Sequence, residues 1–321
     1  MRFSARALPA ALLLLLALCC APPPAAQAEP VRQLRVMAFN VWWGGRKIND
    51  GLDKIVAAVV ESGADVVAMQ ESNGAAAGIA RRLDWYAYQP AHSVAIASRY
   101  PITTVFAPSL RKNGAGVRIR LSDDPPQDIV VWSVHLTAFP YGPYEACYRA
   151  ADPDAVMGTE MAYRFKQIYS VLQAMKLYHG AEPELPIFLA GDFNTPSHLD
   201  WTEELAGRNC GYAIRYPVTD AIATAGFTDA YRAIHPDPGS HPGLTWSPIF
   251  PKHDHELVVD LPEPQDRIDY VFYKGAGVTP TDARVFVTGH PADFPNHKAN
   301  EWPSDHAAVI VDFELAPGRW R

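Results

Sequence analysis

Positive charge is in short supply in this chain. Its 28 basic side chains face 35 acidic ones, a net charge of −7, so the bulk basic footprint usual in nucleic-acid binders is missing, although a local patch stays open. Cysteine is scarce too: four in 321 residues, of which Cys19 and Cys20 lie near the N-terminus. The other two, Cys147 and Cys210, do not by themselves make a structural zinc site. Beyond the N-terminal segment no apolar run is long enough to cross a bilayer. No composition break marks a linker and no repeat is visible, so a single domain over residues 29–321 is expected.

What is present begins with a leader. Arg2 and Arg6 precede the apolar run Ala7–Leu18, and Ala21–Ala28 is small, Pro-rich and ends Ala26-Gln27-Ala28. Charged head, apolar middle and small-residue end read as a signal peptide cleaved after Ala28. A lipoprotein signal at Cys19 or Cys20 is the rival, and Leu18 fits it poorly. A secreted or periplasmic chain is expected. Loss of the leader removes Arg2 and Arg6 and no acids, which takes the net charge to −9. Export places Cys147 and Cys210 in an oxidising compartment, and a disulfide between them is expected.

Apolar residues make up 48% of the chain, enough for a large core. Periodicity predicts strands at Leu34–Asn40, Asp65–Met69, Ser93–Ser98, Ile102–Phe106, Gly116–Leu121, Ile129–His135, Pro186–Ala190, Ile268–Tyr273 and Ala307–Phe313, with a weaker one at Ala283–Val287. It predicts helices at Leu52–Ser62, stopped by Gly63, at Gly74–Leu83, at Gly158–His179, and at Leu199–Ala206 and Val218–Ala225. Phe139–Val156 and His235–Pro264 read as long loops. Strand follows strand in the middle of the chain, which argues for mixed sheets in an α/β fold.

Polar residues recur where apolar strands end, and there they can converge on one cleft. Asn40 ends the first strand, Glu71 follows the second, and His135 ends Ile129–Val134. Asp192 and Asn194 follow Phe188–Gly191. Asp269 sits in Asp266-Arg267-Ile268-Asp269-Tyr270, and Ser304-Asp305-His306 precedes the last strand. Each alone has a plain structural reading: strand termination, turn chemistry at Gly191-Asp192-Phe193-Asn194, a core histidine at His135, an ion pair between Asp269 and Arg267. Together they supply what metal-assisted phosphate hydrolysis requires.

This order of segments resembles the endonuclease/exonuclease/phosphatase family, which includes deoxyribonucleases, repair nucleases, neutral sphingomyelinases and inositol-polyphosphate phosphatases. The matching segments run from Phe39 to His306. The resemblance implies a four-layer sandwich of two mixed β-sheets flanked by helices. It implies Mg²⁺ or Mn²⁺ held by Glu71 with Asn40 and Asp305. Asp192 would orient the attacking water and Asn194 would contact phosphate or water. His306 would be a general base or a phosphate contact with Asp269 as its partner, and His135 is the histidine found at this place in the sphingomyelinase and deoxyribonuclease branches.

The chemistry is consistent on its own terms. A hard cation takes carboxylates, waters and substrate phosphate and polarises the phosphoryl oxygen. Positioning and electrostatics do most of the rest. The charge of Asp269 is expected to raise the His306 pKa. Trp42-Trp43-Gly44-Gly45 is a candidate cleft wall, and Tyr141–Tyr148 a candidate membrane-touching segment. His241, His253 and His255 read as solvated loop histidines, and His198 as bordering the cleft or packing at a helix start. The expectation is a monomeric phosphodiesterase acting on a phosphate ester, with nucleic acid not favoured by charge. A phosphomonoesterase acting on inositol phosphates or other small esters is the alternative, and a binding module without activity is the reading from another class.

Overall fold

The computed structural model describes residues 31–90, 93–106, 110, 113–253 and 260–316. The leader, Cys19, Cys20 and His255 lie outside the described residues.

The chain forms β1 (Gln33–Asn40), α1 (Gly51–Ser62), β2 (Val66–Gln70), α2 (Ala76–Leu83), β3 (Tyr86–Tyr88) and β4 (Val94–Ser98). A run of strands follows: β5 (Ile102–Phe106), β6 (Gly114–Asp123) and β7 (Pro126–His135). Then come α3 (Gly142–Arg149), α4 (Pro153–Ala162), α5 (Arg164–His179), β8 (Ile187–Asp192), α6 (Pro217–Thr224), β9 (Thr228–Asp229) and α7 (Ala230–Ile234). β10 (Asp269–Lys274), β11 (Val278–Phe286) and β12 (Ala308–Leu315) complete the described elements.

Two six-stranded sheets result, in the orders β11-β12-β1-β2-β4-β3 and β5-β6-β7-β8-β10-β9. β1 pairs with β2 and β7 with β8 in parallel; the other pairings are antiparallel, so both sheets are mixed as expected. The inner faces pack together through Val36, Ala38, Val66, Ile96, Val117, Val131, Phe188 and Val309, all buried. Burying one such side chain contributes roughly 1.5–3 kcal/mol. Ile55 and Val59 of α1 and Ile79 of α2 cover the outer face of the first sheet. Ile168, Val171 and Met175 of α5 and Ile222 of α6 cover the second.

The register explains where the strand ends go. β12 runs antiparallel to β1, with Ala38 opposite Val309, so the start of β12 meets the end of β1. Asp269, at the start of β10, lies opposite Asp192 at the end of β8, and Asp192 lies beside His135 at the end of β7. All the polar ends therefore face one rim. Gly191, at φ 146°, sits where a Cβ would come within 2.0 Å of the Val134 carbonyl oxygen and 2.9 Å of Gln70 Nε2. Gln70 in turn donates to Ser133 across the sheets (3.0 Å). The rim closes only because position 191 has no side chain.

Four expectations are corrected. The helix read over Gly158–His179 is two helices, broken at Tyr163 (φ −114°, ψ −83°). There Arg164 turns inward to donate to the carbonyls of Thr137, Ala138 and Pro140, a non-local demand that periodicity does not record. Phe139–Val156 is not a loop throughout: it holds α3 and the start of α4, which Asp152 caps by accepting from Ala155 N–H (2.8 Å). Leu199–Ala206 keeps only a 3₁₀ turn at Glu203–Leu205. The segment instead brings Asp200 to Arg232 and Arg267, each at 2.8 Å. That pairing also means Arg267 is not the ion partner of Asp269.

Candidate active site

At the shared rim the cleft has a volume of about 510 Å³. Glu71, His135, Asp192, Asn194, Asp305 and His306 line it, and Asn40 and Asp269 stand directly behind. All eight residues named from the sequence thus come together.

Asp192 is the hub. Its Oδ1 accepts the backbone N–H of Asn194 (2.8 Å). Its Oδ2 accepts from Asn40 Nδ2 (3.0 Å) and Asn194 Nδ2 (3.2 Å). Two imidazoles flank the same oxygen, His135 Nε2 at 3.6 Å and His306 Nε2 at 3.8 Å. Asn194 also donates to the Leu136 carbonyl (3.0 Å), which fixes its amide orientation. Burial pushes the Asp192 carboxyl up to about 7, with the His306 charge pulling against it.

His306 is held from several sides. Its Nδ1 shares a hydrogen bond with Asp269 Oδ2 (2.9 Å), and its backbone N–H donates to Ser304 Oγ (3.0 Å). Its ring lies 4.9 Å from that of Trp246. Burial opposes its charge, but Asp269 and Asp192 together raise the imidazole to about 10, the direction expected from the sequence. Asp269 is itself oriented by Thr245 Oγ1, which accepts the N–H groups of Ile268 and Asp269 (3.1 Å each). His135 contrasts with this: burial lowers its pKa, and its Nδ1 meets Ser93 Oγ at 2.7 Å. The two imidazoles flanking Asp192 are therefore shifted in opposite directions, His306 towards its charged form and His135 towards its neutral one.

Glu71 and Asp305 form the acidic end. Glu71 has left-handed backbone (φ 51°), and its Oε2 accepts the Trp43 N–H (3.0 Å). Asp305 is buried, and its Oδ1 has no hydrogen-bond partner. Burial pushes Asp305 up to about 7; the His306 charge lowers it and Glu71 raises it. Neither Glu71 nor Asp305 forms an ion pair among the described residues. An orphaned buried carboxylate oxygen beside a second carboxylate is a setting that a hard cation satisfies. Ligand atoms of Asp192, Asp269 and His306 also lie within 4.8 Å of one another and could hold a metal.

Several wall residues were not singled out from the sequence. Trp246, Phe250 and Phe294 line the cleft from distant loops, and Ser93 and Thr245 anchor His135 and Asp269. No local pattern marks them, because each works through a contact between segments far apart in the chain. Trp42 and Trp43 do form a wall, as the sequence suggested. Tyr141–Tyr148 does not offer itself to a membrane. Tyr141 is buried and donates to Asp266 (2.9 Å), Tyr144 bonds Glu263, and Tyr148 donates to the Pro262 carbonyl (2.7 Å). His253 is buried against Glu263 (2.9 Å), not solvated, whereas His241 is exposed. His198 meets Thr219 at 2.8 Å, outside the cleft lining.

The fold and the site define a metal-dependent phosphoric ester hydrolase. The Endonuclease/Exonuclease/phosphatase family matches residues 37–306, and the chain belongs to that family. An uncharacterized protein of Caenorhabditis elegans is 37% identical over 291 residues, covering 87% of this chain and 91% of that one. Among solved structures, D. rerio TDP2 complexed with single strand DNA product is similar at a TM-score of 0.57 and 18% identity, over 88% of this chain and 99% of that chain. The human Nocturnin catalytic domain with bound sulfate anion is similar at 0.55 and 15% identity, over 90% and 97%. The last two likenesses concern the fold.

Proposed function

We propose that the protein is a secreted phosphodiesterase that directs water in line at phosphorus. The observation that carries this reading is the meeting of Glu71, Asp192, Asp305 and His306 on one cleft. Glu71 and Asp305, with Asn40 through the remaining lone pair of Oδ1, would hold Mg²⁺ or Mn²⁺, while Asp269 Oδ2 and His306 Nδ1 are bonded to each other. When bound, that cation neutralises the phosphate and polarises its oxygen.

The protein's own groups supply the rest. Asp192, gripped by Asn40 and Asn194, orients the attacking water and accepts its proton. Charged His306 contacts the phosphate as negative charge grows, and Asp269 keeps its imidazole in place. Neutral His135 hydrogen-bonds a second phosphoryl oxygen or the leaving group; the P–O bond to the leaving oxygen breaks as the water oxygen adds, and the leaving oxygen takes a proton from solvent water.

A diester is favoured over a multiply phosphorylated monoester by the charge of the wall. Lys47 is the one cationic side chain besides histidine lining the cleft among the described residues. The net charge also speaks against long duplex nucleic acid as the preferred substrate. Residues 29–321 act as one monomeric domain after cleavage at Ala28, a reading with which the Cys147–Cys210 disulfide agrees.

The test is release of p-nitrophenolate from bis-(p-nitrophenyl) phosphate with Mg²⁺ or Mn²⁺, beside p-nitrophenyl phosphate. Diester turnover that EDTA stops and His306→Ala lacks is expected. Faster turnover of the monoester would support the phosphomonoesterase instead, and metal-independent turnover in His306→Ala would sink both.

A further inference from the structure

Trp42 and Trp43 are consecutive and both left-handed, at φ 41° and 56°. Bulky residues rarely adopt this backbone, and it persists only where surrounding contacts impose it. Here the contacts are evident. Asn40 Oδ1 accepts the Trp42 N–H (3.1 Å), Glu71 Oε2 accepts the Trp43 N–H (3.0 Å), and the Glu71 carbonyl accepts the Gly44 N–H (2.8 Å). Behind the turn the packing leaves no room for a side chain. A Cβ at Gly44 would lie 2.7 Å from the Ser72 carbonyl oxygen, and one at Gly45 would lie 2.7 Å from the Gly51 carbonyl carbon.

Core packing does not explain the indole of Trp43. It is 52% exposed and lines the cleft. Lys47 Nζ stands 4.7 Å from its ring centroid. A half-exposed indole thus sits beside the acidic end of the site, with Lys47, the one lysine of the wall among the described residues, over one side of its ring.

We propose that Trp43 and Lys47 form a subsite for a planar aromatic group attached to the scissile phosphate. The ring stacks on the side of the indole that Lys47 leaves uncovered, or displaces the ammonium from the ring, and the ammonium faces the phosphate. Stacking of this kind is tolerant of which ring is offered. An acyl chain fits less well, because covering Lys47 with hydrocarbon would desolvate its charge. That the ligand carries a phosphate rests on the function proposed above; the preference for a planar ring does not.

Titration calorimetry of the purified full chain tests this with adenosine 5′-monophosphate, phenyl phosphate and ribose 5-phosphate, each with Mg²⁺ and with EDTA. The ratio of dissociation constants is the readout. The wild type should prefer adenosine monophosphate to ribose phosphate by about tenfold. Phenyl phosphate separates a simple aryl group from a nucleobase, and should fall between the two.

Trp43→Gly should reduce the ratio to about one. Glycine suits the positive φ, so this variant should melt no lower than the wild type. Trp43→Phe should keep part of the preference. Equal binding of the three ligands by the wild type, an unchanged ratio in Trp43→Gly, or no binding at all would overturn the proposal. A ring preference in a protein that hydrolyses no ester would instead refute the phosphodiesterase reading and leave this one standing.

Discussion

Asn40 donates its side-chain amide to Asp192 Oδ2 at 3.0 Å, joining the ends of two strands that belong to different sheets and lie 152 residues apart. The bond lets one sheet aim a carboxylate carried by the other. Asn40→Ala removes that grip, and with it the oxygen proposed to face the cation, while leaving Asp192 its two contacts from Asn194. Turnover should fall roughly 10- to 100-fold, as for other supporting residues around a metal site. Steady-state kinetics beside a circular-dichroism melt separates loss of aim from loss of fold.

The two sides of the reaction should be visible in its pH dependence. On the proposed reading Asp192 takes a proton only when ionised, and its carboxyl is pushed up to about 7; His306 acts only when charged, and its imidazole is raised to about 10. kcat/KM should therefore rise through about 7 and fall towards about 10. In Asp269→Asn, His306 loses its main charged partner and the alkaline limb should move to lower pH. An alkaline limb that stays in place in this variant would remove His306 from the role assigned to it.

Without a divalent ion the acidic end should be a burden on the fold. Burial raises Asp192 and Asp305 to about 7, against about 3.9 in an unfolded chain. The native state then holds its protons to higher pH than the unfolded state, so this stability is full below about 4 and is lost as pH rises through 7. In EDTA the melting temperature should fall over that window, and Mg²⁺ should restore it at pH 7.5. Asp305→Asn should be more stable than the wild type in EDTA, by about 1–3 kcal/mol, yet gain less from Mg²⁺ and be inactive.

Gly191→Ala should fail as a fold before it fails as a catalyst. The added methyl would meet the Val134 carbonyl at 2.0 Å on a backbone of φ 146°. A loss of several kcal/mol, roughly the range of severe core defects, is expected in urea denaturation.

The Cys147–Cys210 bridge spans 63 residues and ties α3 to the segment after Glu203–Leu205. The loop-entropy relation gives roughly 4 kcal/mol for such a closure. Cys147→Ser with Cys210→Ser should lower the urea midpoint accordingly, while activity at low temperature persists.

Much of this was legible in the chain itself, for a physical reason. A buried strand must be apolar, so a polar residue at its end stands out, and Asn40, Glu71, His135, Asp192, Asp269 and His306 all do. Gly63 was readable as a helix stop because its backbone is left-handed at φ 66°. What stayed hidden depends on pairs of distant segments. Arg164 breaks a helix to satisfy carbonyls 24 to 27 residues earlier, and Ser93 reaches His135 from 42 residues away. Tyr144 looks like a surface aromatic until Glu263 is seen beside it. Neither composition nor periodicity encodes such partners.

The bond between Asn40 and Asp192 also makes the site a product of the whole assembly. Every partial chain ending before Ser304 lacks His306, and every one starting after Asn40 lacks the clasp on Asp192. On the proposed reading, full turnover therefore waits until the last strand is laid beside the first, and a single proteolytic nick between them leaves two pieces that must stay docked to act.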